Sequence, residues 1–196
     1  MSGNTADNAY HVVLGVGSAG IALNGFTISG GQATTFGSFS VSGTAIDRAA
    51  GGGVCLYQGN NTFNNCLIEN NIAYQGGGIY AANATCNILN GTIQSNTVYY
   101  HGGGFYFLGT NSTIEHNIIN LNTSLYSTNG STGPFGGGAM LLSGGTHNIL
   151  RNSIVYNFSA SFGGAITTEY ATLLLQSNVM TFNNANHSGG TAYAIS

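Results

Sequence analysis

A glycine pair that keeps returning constrains this chain more than any other feature. Gly51-Gly52-Gly53-Val54-Cys55 is followed by Gly76-Gly77-Gly78-Ile79-Tyr80 and Gly102-Gly103-Gly104-Phe105-Tyr106. Then come Gly136-Gly137-Gly138-Ala139-Met140, Gly163-Gly164-Ala165-Ile166 and Gly189-Gly190-Thr191-Ala192. Counted at positions 52, 77, 103, 137, 163 and 189, the steps are 25, 26, 34, 26 and 26 residues. A unit this small cannot bury a core alone, so a fixed period of this size means units that stack on their neighbours.

Two further marks travel with the glycines. Ile68-Glu69-Asn70-Asn71, Ile93-Gln94-Ser95-Asn96, Ile119-Asn120-Leu121-Asn122, Ile154-Val155-Tyr156-Asn157 and Met180-Thr181-Phe182-Asn183 share an apolar-x-x-Asn form. Thr62, Thr85, Thr113, Thr146 and Thr172 recur between them, mostly followed by an apolar residue. Each unit therefore holds three short β-prone runs separated by Gly, Asn, Ser or Thr. Such runs are too short and too often broken by Gly for helices. The spacing predicts an all-β, single-stranded parallel β-helix of about 26 residues per turn and six to seven turns. Turns would stack at roughly 4.8 Å, so equivalent side chains form columns. Asn71, Asn96, Asn122, Asn157 and Asn183 are then a corner column. Asn tolerates a left-handed backbone and can hydrogen-bond along a stack. The Gly pairs mark another corner, and the Ile of each Ile-x-x-Asn unit fills the inside.

On these marks the chain resembles right-handed parallel β-helix repeat proteins of bacterial surfaces. Gly163-Gly164-Ala165-Ile166 resembles the Gly-Gly-Ala-Ile repeat of polymorphic outer-membrane autotransporter passengers, which pair it with Phe-x-x-Asn where this chain has Ile-x-x-Asn. The resemblance covers roughly residues 12–196. It implies a right-handed coil, an extracellular or cell-surface location and a structural or adhesive role.

Composition narrows the function classes. Charged residues are 4% of the chain, against roughly 25% in ordinary globular proteins. There is no Lys, and Arg48 and Arg151 are the only strong cations, which excludes the electrostatic footprint of a nucleic-acid binder. An apolar content of 42% supplies a core and argues against disorder. A single domain, 1–196, is expected, with loop insertions near 32–50 and 123–135. No apolar stretch approaches the length of a membrane span, so no membrane insertion is expected. Met1 to Tyr10 is polar and carries no signal peptide, which for a chain resembling surface proteins suggests a trimmed or partial one. Cys55, Cys66 and Cys86 have no metal-ligand spacing and read as small buried residues, with a Cys55–Cys66 bridge left open. Neither a cofactor nor a metal is expected.

The insertions and one strand face supply the candidate contact residues. About 14 extra residues fall within 32–50 and about eight between Asn122 and Gly136. Insertions in solenoids become loops on one face, often the binding face. After each Gly pair, alternation places Val54, Ile79, Phe105, Ala139 and Ala165 on one side of a strand. Cys55, Tyr80, Tyr106, Met140 and Ile166 fall on the other. Both sets are apolar, yet only one can point inward. The outer set would form an apolar, Tyr-bearing stripe covered by the insertion loops or by another molecule. Tyr80, Tyr106, Met140, Tyr126 and Phe135 are therefore the candidate interaction surface.

Catalysis finds little support. A glycoside hydrolase needs two carboxylates flanking one bond, and Asp7, Asp47, Glu69, Glu115 and Glu169 are the whole supply. Glu69 and Glu115 belong to different columns by register, and neighbours Glu115 and His116 should face opposite sides of a strand. A polysaccharide lyase or hydrolase is thus the weakest class, and the chain reads as no enzyme. The Thr mark raises ice binding, but one Thr per turn at steps of 23, 28, 33 and 26 reads better as a strand-start preference. The leading expectation is a non-enzymatic extracellular structural or adhesive β-helix. It includes a head-to-tail self-assembling filament subunit, because the last unit has no cap. The partners are then copies of itself, end to end, or other surface proteins and glycans. The alternative is a carbohydrate-binding module using Tyr74, Tyr80, Tyr99, Tyr100, Tyr106 or Tyr126 as stacking platforms.

Overall fold

One residue per corner decides how this chain turns. The computed structural model describes residues 9–17, 19–126 and 136–195. Four sets of residues in it take a left-handed backbone, one set per corner. The first set is Gly17, Gln58, Asn83, Gly109, Gly144 and Tyr170. The second is Gly25, Asn65, Asn90, His116, Arg151 and Ser177. The third is Gly30, Asn70, Ser95, Leu121, Tyr156 and Phe182, and the fourth is Gly51, Gly76, Gly102, Gly137, Gly163 and Gly189. Between corners the backbone is extended, and every strand of the coil pairs in parallel with its equivalents one turn away.

The result is a parallel β-helix with four faces. The first face, after the Gly pair, stacks Val13–Val16, Val54–Tyr57, Ile79–Ala82, Phe105–Leu108, Met140–Ser143, Ile166–Glu169 and Ala192–Ile195. The second stacks Ala22–Asn24, Asn60–Asn64, Thr85–Leu89, Asn111–Glu115, Thr146–Leu150 and Thr172–Gln176. The third stacks Thr27–Ser29, Leu67–Glu69, Thr92–Gln94, Ile118–Asn120, Ser153–Val155 and Val179–Thr181. The fourth is Gln32–Ala33, Ile72–Gln75, Thr97–His101, Thr123–Ser124, Phe158–Ser159 and Asn184–Ala185. The sequence shows three runs per turn, and the fourth escapes because Thr123–Ser124 and Phe158–Ser159 are only two residues long.

The expected Asn column exists, but its reason differs. The left-handed residue is the one before each Asn (Asn70, Ser95, Leu121, Tyr156, Phe182), whose side chain points outward. The Asn itself points into the coil, and Asn71, Asn96 and Asn122 are fully buried. Asn96 Nδ2 donates to Asn122 Oδ1 at 3.0 Å and to the Ile68 carbonyl at 2.9 Å, while the Asn96 N–H also reaches Asn122 Oδ1 at 3.1 Å. The same three bonds repeat from Asn71 to Asn96, from Asn122 to Asn157 and from Asn157 to Asn183. Each carboxamide thus satisfies backbone groups that the corner would otherwise leave buried and unpaired.

Sterics explain the Gly pair. At Gly102 the φ is +62 and a Cβ would lie 1.8 Å from the Phe105 carbonyl oxygen. At Gly103 it would lie 2.3 Å from the Gly138 oxygen one turn up. Any side chain there would force neighbouring turns apart. Pairing also corrects one register. Gly136 bridges His101, and Met140 stands opposite Phe105. The pair at this turn is therefore Gly137-Gly138, and the step from Gly103 to Gly138 is 35 residues rather than 34.

The inside is filled by columns. Val54, Ile79, Phe105, Met140 and Ile166 share one, and Phe63, Ile88, Ile114 and Ile149 share another. Ile28, Ile68, Ile93, Ile119 and Ile154 form the third-face column, and nearly all of these side chains are fully buried. Met140 is 0% exposed and belongs to this core, because the one-residue shift turns it from the outer side to the inner one.

The first insertion is a two-stranded antiparallel hairpin, Ser38–Val41 with Thr44–Asp47. Ser42 and Gly43 both have positive φ, the form of tight turn that matches the twist of a hairpin. It lies over the outer side of the first face. There Ile46 and Ala50, with Phe39 and Val41, pack on Leu14, Val16, Cys55, Tyr57, Tyr80, Ala82 and Tyr106. The second insertion, including Phe135, falls mostly outside the described residues.

Candidate functional site

On the fourth face a run of aromatic side chains meets along the outside of the coil, and a backbone irregularity helps to bring them together. Ala73 stands opposite Val98, but Gln75 stands opposite His101. Two residues, Tyr99 and Tyr100, therefore oppose the single Tyr74, a bulge that re-aims side chains. Tyr74 sits 4.9 Å from Tyr99 and 5.5 Å from Tyr100, ring centre to ring centre. Phe36, on the way into the hairpin, stacks on Tyr74 at 4.3 Å, and Tyr126 lies 4.7 Å from Tyr100. The ridge Phe36–Tyr74–Tyr99/Tyr100–Tyr126 thus climbs the coil, with Phe36 66% exposed, Tyr99 43% and Tyr126 36%.

The ridge continues inward. His101 lies 6.1 Å from Tyr100 and 5.3 Å from Tyr106. Tyr106 meets Tyr80 at 5.5 Å, and Tyr80 meets Tyr57 at 5.7 Å beneath the hairpin. Burial lowers the His101 pKa to about 4, so the ring is neutral at pH 7. Burial likewise raises the phenol pKa values of Tyr57, Tyr80 and Tyr106. Aromatic contacts of this kind contribute about 0.5–1.5 kcal/mol each beyond their buried area. The ridge is therefore stiff, and its hidden part anchors the exposed part.

The expected contact residues divide accordingly. Tyr80 is buried under the hairpin and Tyr106 is partly buried at its edge. Met140 is in the core, Tyr126 is on the exposed ridge, and Phe135 lies outside the described residues. Phe36 was missed from sequence, because only the hairpin brings it onto Tyr74. One readable signal hints at the bulge. The step from Gly77 to Gly103 is one residue longer than that from Gly52 to Gly77, and the extra residue belongs to Tyr99-Tyr100.

The groups that could do chemistry are dispersed or spent. Glu69 ends a third-face strand, Glu115 a second-face strand and Glu169 a first-face strand. Glu69 accepts from Gln94 Nε2 at 2.7 Å, and Glu169 accepts from Ser143 Oγ at 3.0 Å. Glu115 pairs with Arg151, and His116 Nδ1 is 3.7 Å from its carboxylate. The expectation that Glu115 and His116 face apart fails because His116 is a corner residue with φ 56, not a strand residue. Ser112 and His147 touch at 2.8 Å, but the pair points into the coil. There His147 Nε2 is held by the Gly144 carbonyl at 3.0 Å. With Nε2–H donating, Nδ1 accepts the Ser112 hydroxyl, and burial lowers the ring pKa. Cys55, Cys66 and Cys86 are all buried and free, and burial raises the Cys55 and Cys86 thiols. No cluster of three metal-ligating side chains occurs among the described residues. Comparisons with protein-family models, with curated proteins and with solved structures found no match.

Proposed function

We propose that this chain is a non-enzymatic, extracellular or cell-surface β-helix with a structural and adhesive role. The observation that carries the reading is the aromatic ridge on the fourth face. Rigid Tyr and Phe side chains lose little conformational entropy on contact, so a fixed row of them suits adhesion. Contiguous exposed apolar surface is the usual mark of an interaction site. The dispersal of Glu69, Glu115 and Glu169 over three faces supports the same reading, since paired carboxylates are what hydrolysis requires.

The rings of the ridge pack against one another, stacked at Phe36–Tyr74 and Tyr74–Tyr100 and tilted at Tyr74–Tyr99 and Tyr100–Tyr126, which bears on the choice between two kinds of contact. A sugar-binding platform presents open ring faces. Here the inner faces are taken by neighbours 4.3–5.5 Å away. A partner therefore meets ring edges and hydroxyls, a surface suited to another protein. The glycan reading keeps one specific support: Phe36, at the end of the stack, is two-thirds exposed.

Beads coated with the whole chain test this. Their clustering with one another should fall at least tenfold with Tyr99→Ser and Tyr126→Ser together, with immobilised neutral polysaccharides as the second surface tried. Undiminished adhesion of that variant would overturn the assignment of the ridge. Loss on polysaccharide with Phe36→Ser alone would favour the glycan reading.

A further inference from the structure

The outside of the second face is organised quite differently from the ridge, and the Thr mark of the sequence leads to it. The uneven steps between Thr62, Thr85, Thr113, Thr146 and Thr172 look like a broken column. Pairing shows that they occupy two adjacent columns. Asn60, Thr85 and Asn111 share one with Thr146 and Thr172. Thr62, Asn87, Thr113 and Asn148 share the other, two residues along each strand. Where one column has Thr, the other mostly has Asn. The turns thus present Asn60/Thr62, Thr85/Asn87, Asn111/Thr113 and Thr146/Asn148, two short hydrogen-bonding side chains each. Each of these turns still carries one Thr, but in four of the five an Asn stands beside it as a second hydrogen-bonding group.

We propose that this face binds ice. Its strands run five residues in five successive turns, and pairing from Asn60–Asn64 to Thr172–Gln176 continues without a register shift. Outward groups therefore repeat at about 4.8 Å across strands and about 6.6 Å along them. The spacing across strands lies close to the shorter oxygen repeat on the prism face of hexagonal ice, and the spacing along them falls about a tenth short of the longer one.

The groups are also held in place. Asn87 Oδ1 accepts from the Thr113 N–H at 3.2 Å, and Asn111 Oδ1 accepts from the Thr146 N–H at 2.9 Å. That bonding leaves the amide NH2 of each Asn for an outside partner. Behind the face, Phe63, Ile88, Ile114 and Ile149 are buried and keep it stiff. Glu115 and Arg151 are its charged residues, and they pair with each other at one edge. A surface that repeats Thr and Asn in four successive turns, with Thr172 and the exposed Leu174 in the fifth, carries little information for recognising one molecule. It fits a ligand that is itself periodic in two directions. The Thr methyl and hydroxyl together suit the mixed apolar and hydrogen-bonding demand of an ordered water layer.

The test is inhibition of ice recrystallisation, with thermal hysteresis, by the whole chain at micromolar concentration. Wild type should keep ice grains small. Thr85→Tyr with Thr113→Tyr, two bulky groups on adjacent columns, should need at least tenfold more protein for the same effect. Thr92→Tyr, outward on the third face, should leave the effect unchanged, as should the ridge variant Tyr99→Ser/Tyr126→Ser. Circular dichroism checks the fold, and Thr113→Val with Thr146→Val provides a near-isosteric pair if the Tyr variant misfolds. An inactive wild type would overturn the proposal. So would full activity in both second-face variants, or retention on crystalline chitin or cellulose with no effect on ice.

Discussion

The second and third corners of the coil solve one problem with different residues. At the third corner a carboxamide points inward in five successive turns, from Asn71 to Asn183. At the second corner the equivalent positions are Cys66, Gly91, Asn117, Asn152 and Asn178, so the ladder begins only at Asn117. Asn117 Nδ2 donates to Asn152 Oδ1 at 3.0 Å and to the Ile88 carbonyl at 2.8 Å, the same geometry as at the third corner. Cys66 and Gly91 show that the corner can be turned without the amide. The amide is thus a stabilising addition to a turn that the left-handed residue already makes.

Replacing Asn122 by Ala should have the largest effect. It leaves the Asn96 N–H and amide, the Ile93 carbonyl and Asn157 Oδ1 short of partners in a buried place. Unsatisfied buried groups cost about 1–3 kcal/mol each, partly relieved by relaxation, so a loss of about 3–5 kcal/mol is expected from urea unfolding. Asn117→Ala strands fewer groups, since only the Gly91 N–H depends on its oxygen. It should cost about 2–3 kcal/mol. Equal losses at the two sites would break the distinction between the middle of a ladder and its start.

Acid should separate the ladders from the rest of the molecule, since carboxamides do not titrate. His147 is buried and His101 and His11 are half-buried, and desolvation lowers the pKa of each. The unfolded chain then binds protons that the folded chain refuses. Stability is full above the ordinary His value near 6.5 and falls as pH drops toward the folded value, about 4 for His101. For His101 the loss amounts to at most about 3 kcal/mol. His101→Phe should flatten the stability profile between pH 6.5 and 4, while Asn122→Ala should lower it without changing its slope. A wild-type profile flat over that range would contradict the burial of these rings.

How far the sequence is legible follows from the same contrast. The third-corner ladder is visible because Ile-x-x-Asn repeats from the second turn on. The second-corner ladder is hidden, since three Asn residues after Cys66 and Gly91 make no obvious column. Short strands hide the fourth face, and the third glycine of Gly136-Gly137-Gly138 disguises the register that buries Met140. Within the candidate site, Tyr74, Tyr99, Tyr100 and Tyr126 can be named from sequence, but their union with Phe36 depends on a bulge and a hairpin. The hairpin did leave a trace: Ser42-Gly43 lies between Phe39/Val41 and Ile46, a turn flanked by alternating apolar residues. Non-local pairing, rather than composition, is what hides the rest.

The smallest expected effect concerns the residues that make the turns. Leu121 at the third corner and His116 at the second both hold φ near 55°, where a branched or bulky side chain is disfavoured. Leu121 is 53% exposed, so little packing opposes its replacement. Asn is the non-glycine residue best suited to this backbone, and Asn70 already occupies the same corner two turns earlier at φ 54. Leu121→Asn should therefore raise stability by about 0.5–1 kcal/mol, read as a shift of the urea midpoint at unchanged slope. Phe182→Asn tests the same idea against a competing term, because Phe182 stacks on Tyr156 at 5.0 Å with rings 6° from parallel. Its gain should be smaller, and a loss there beside a gain at Leu121 would measure what the stacked pair contributes. A loss at both positions would mean that the corner's outward side chains stabilise the coil more than their backbone strain costs it.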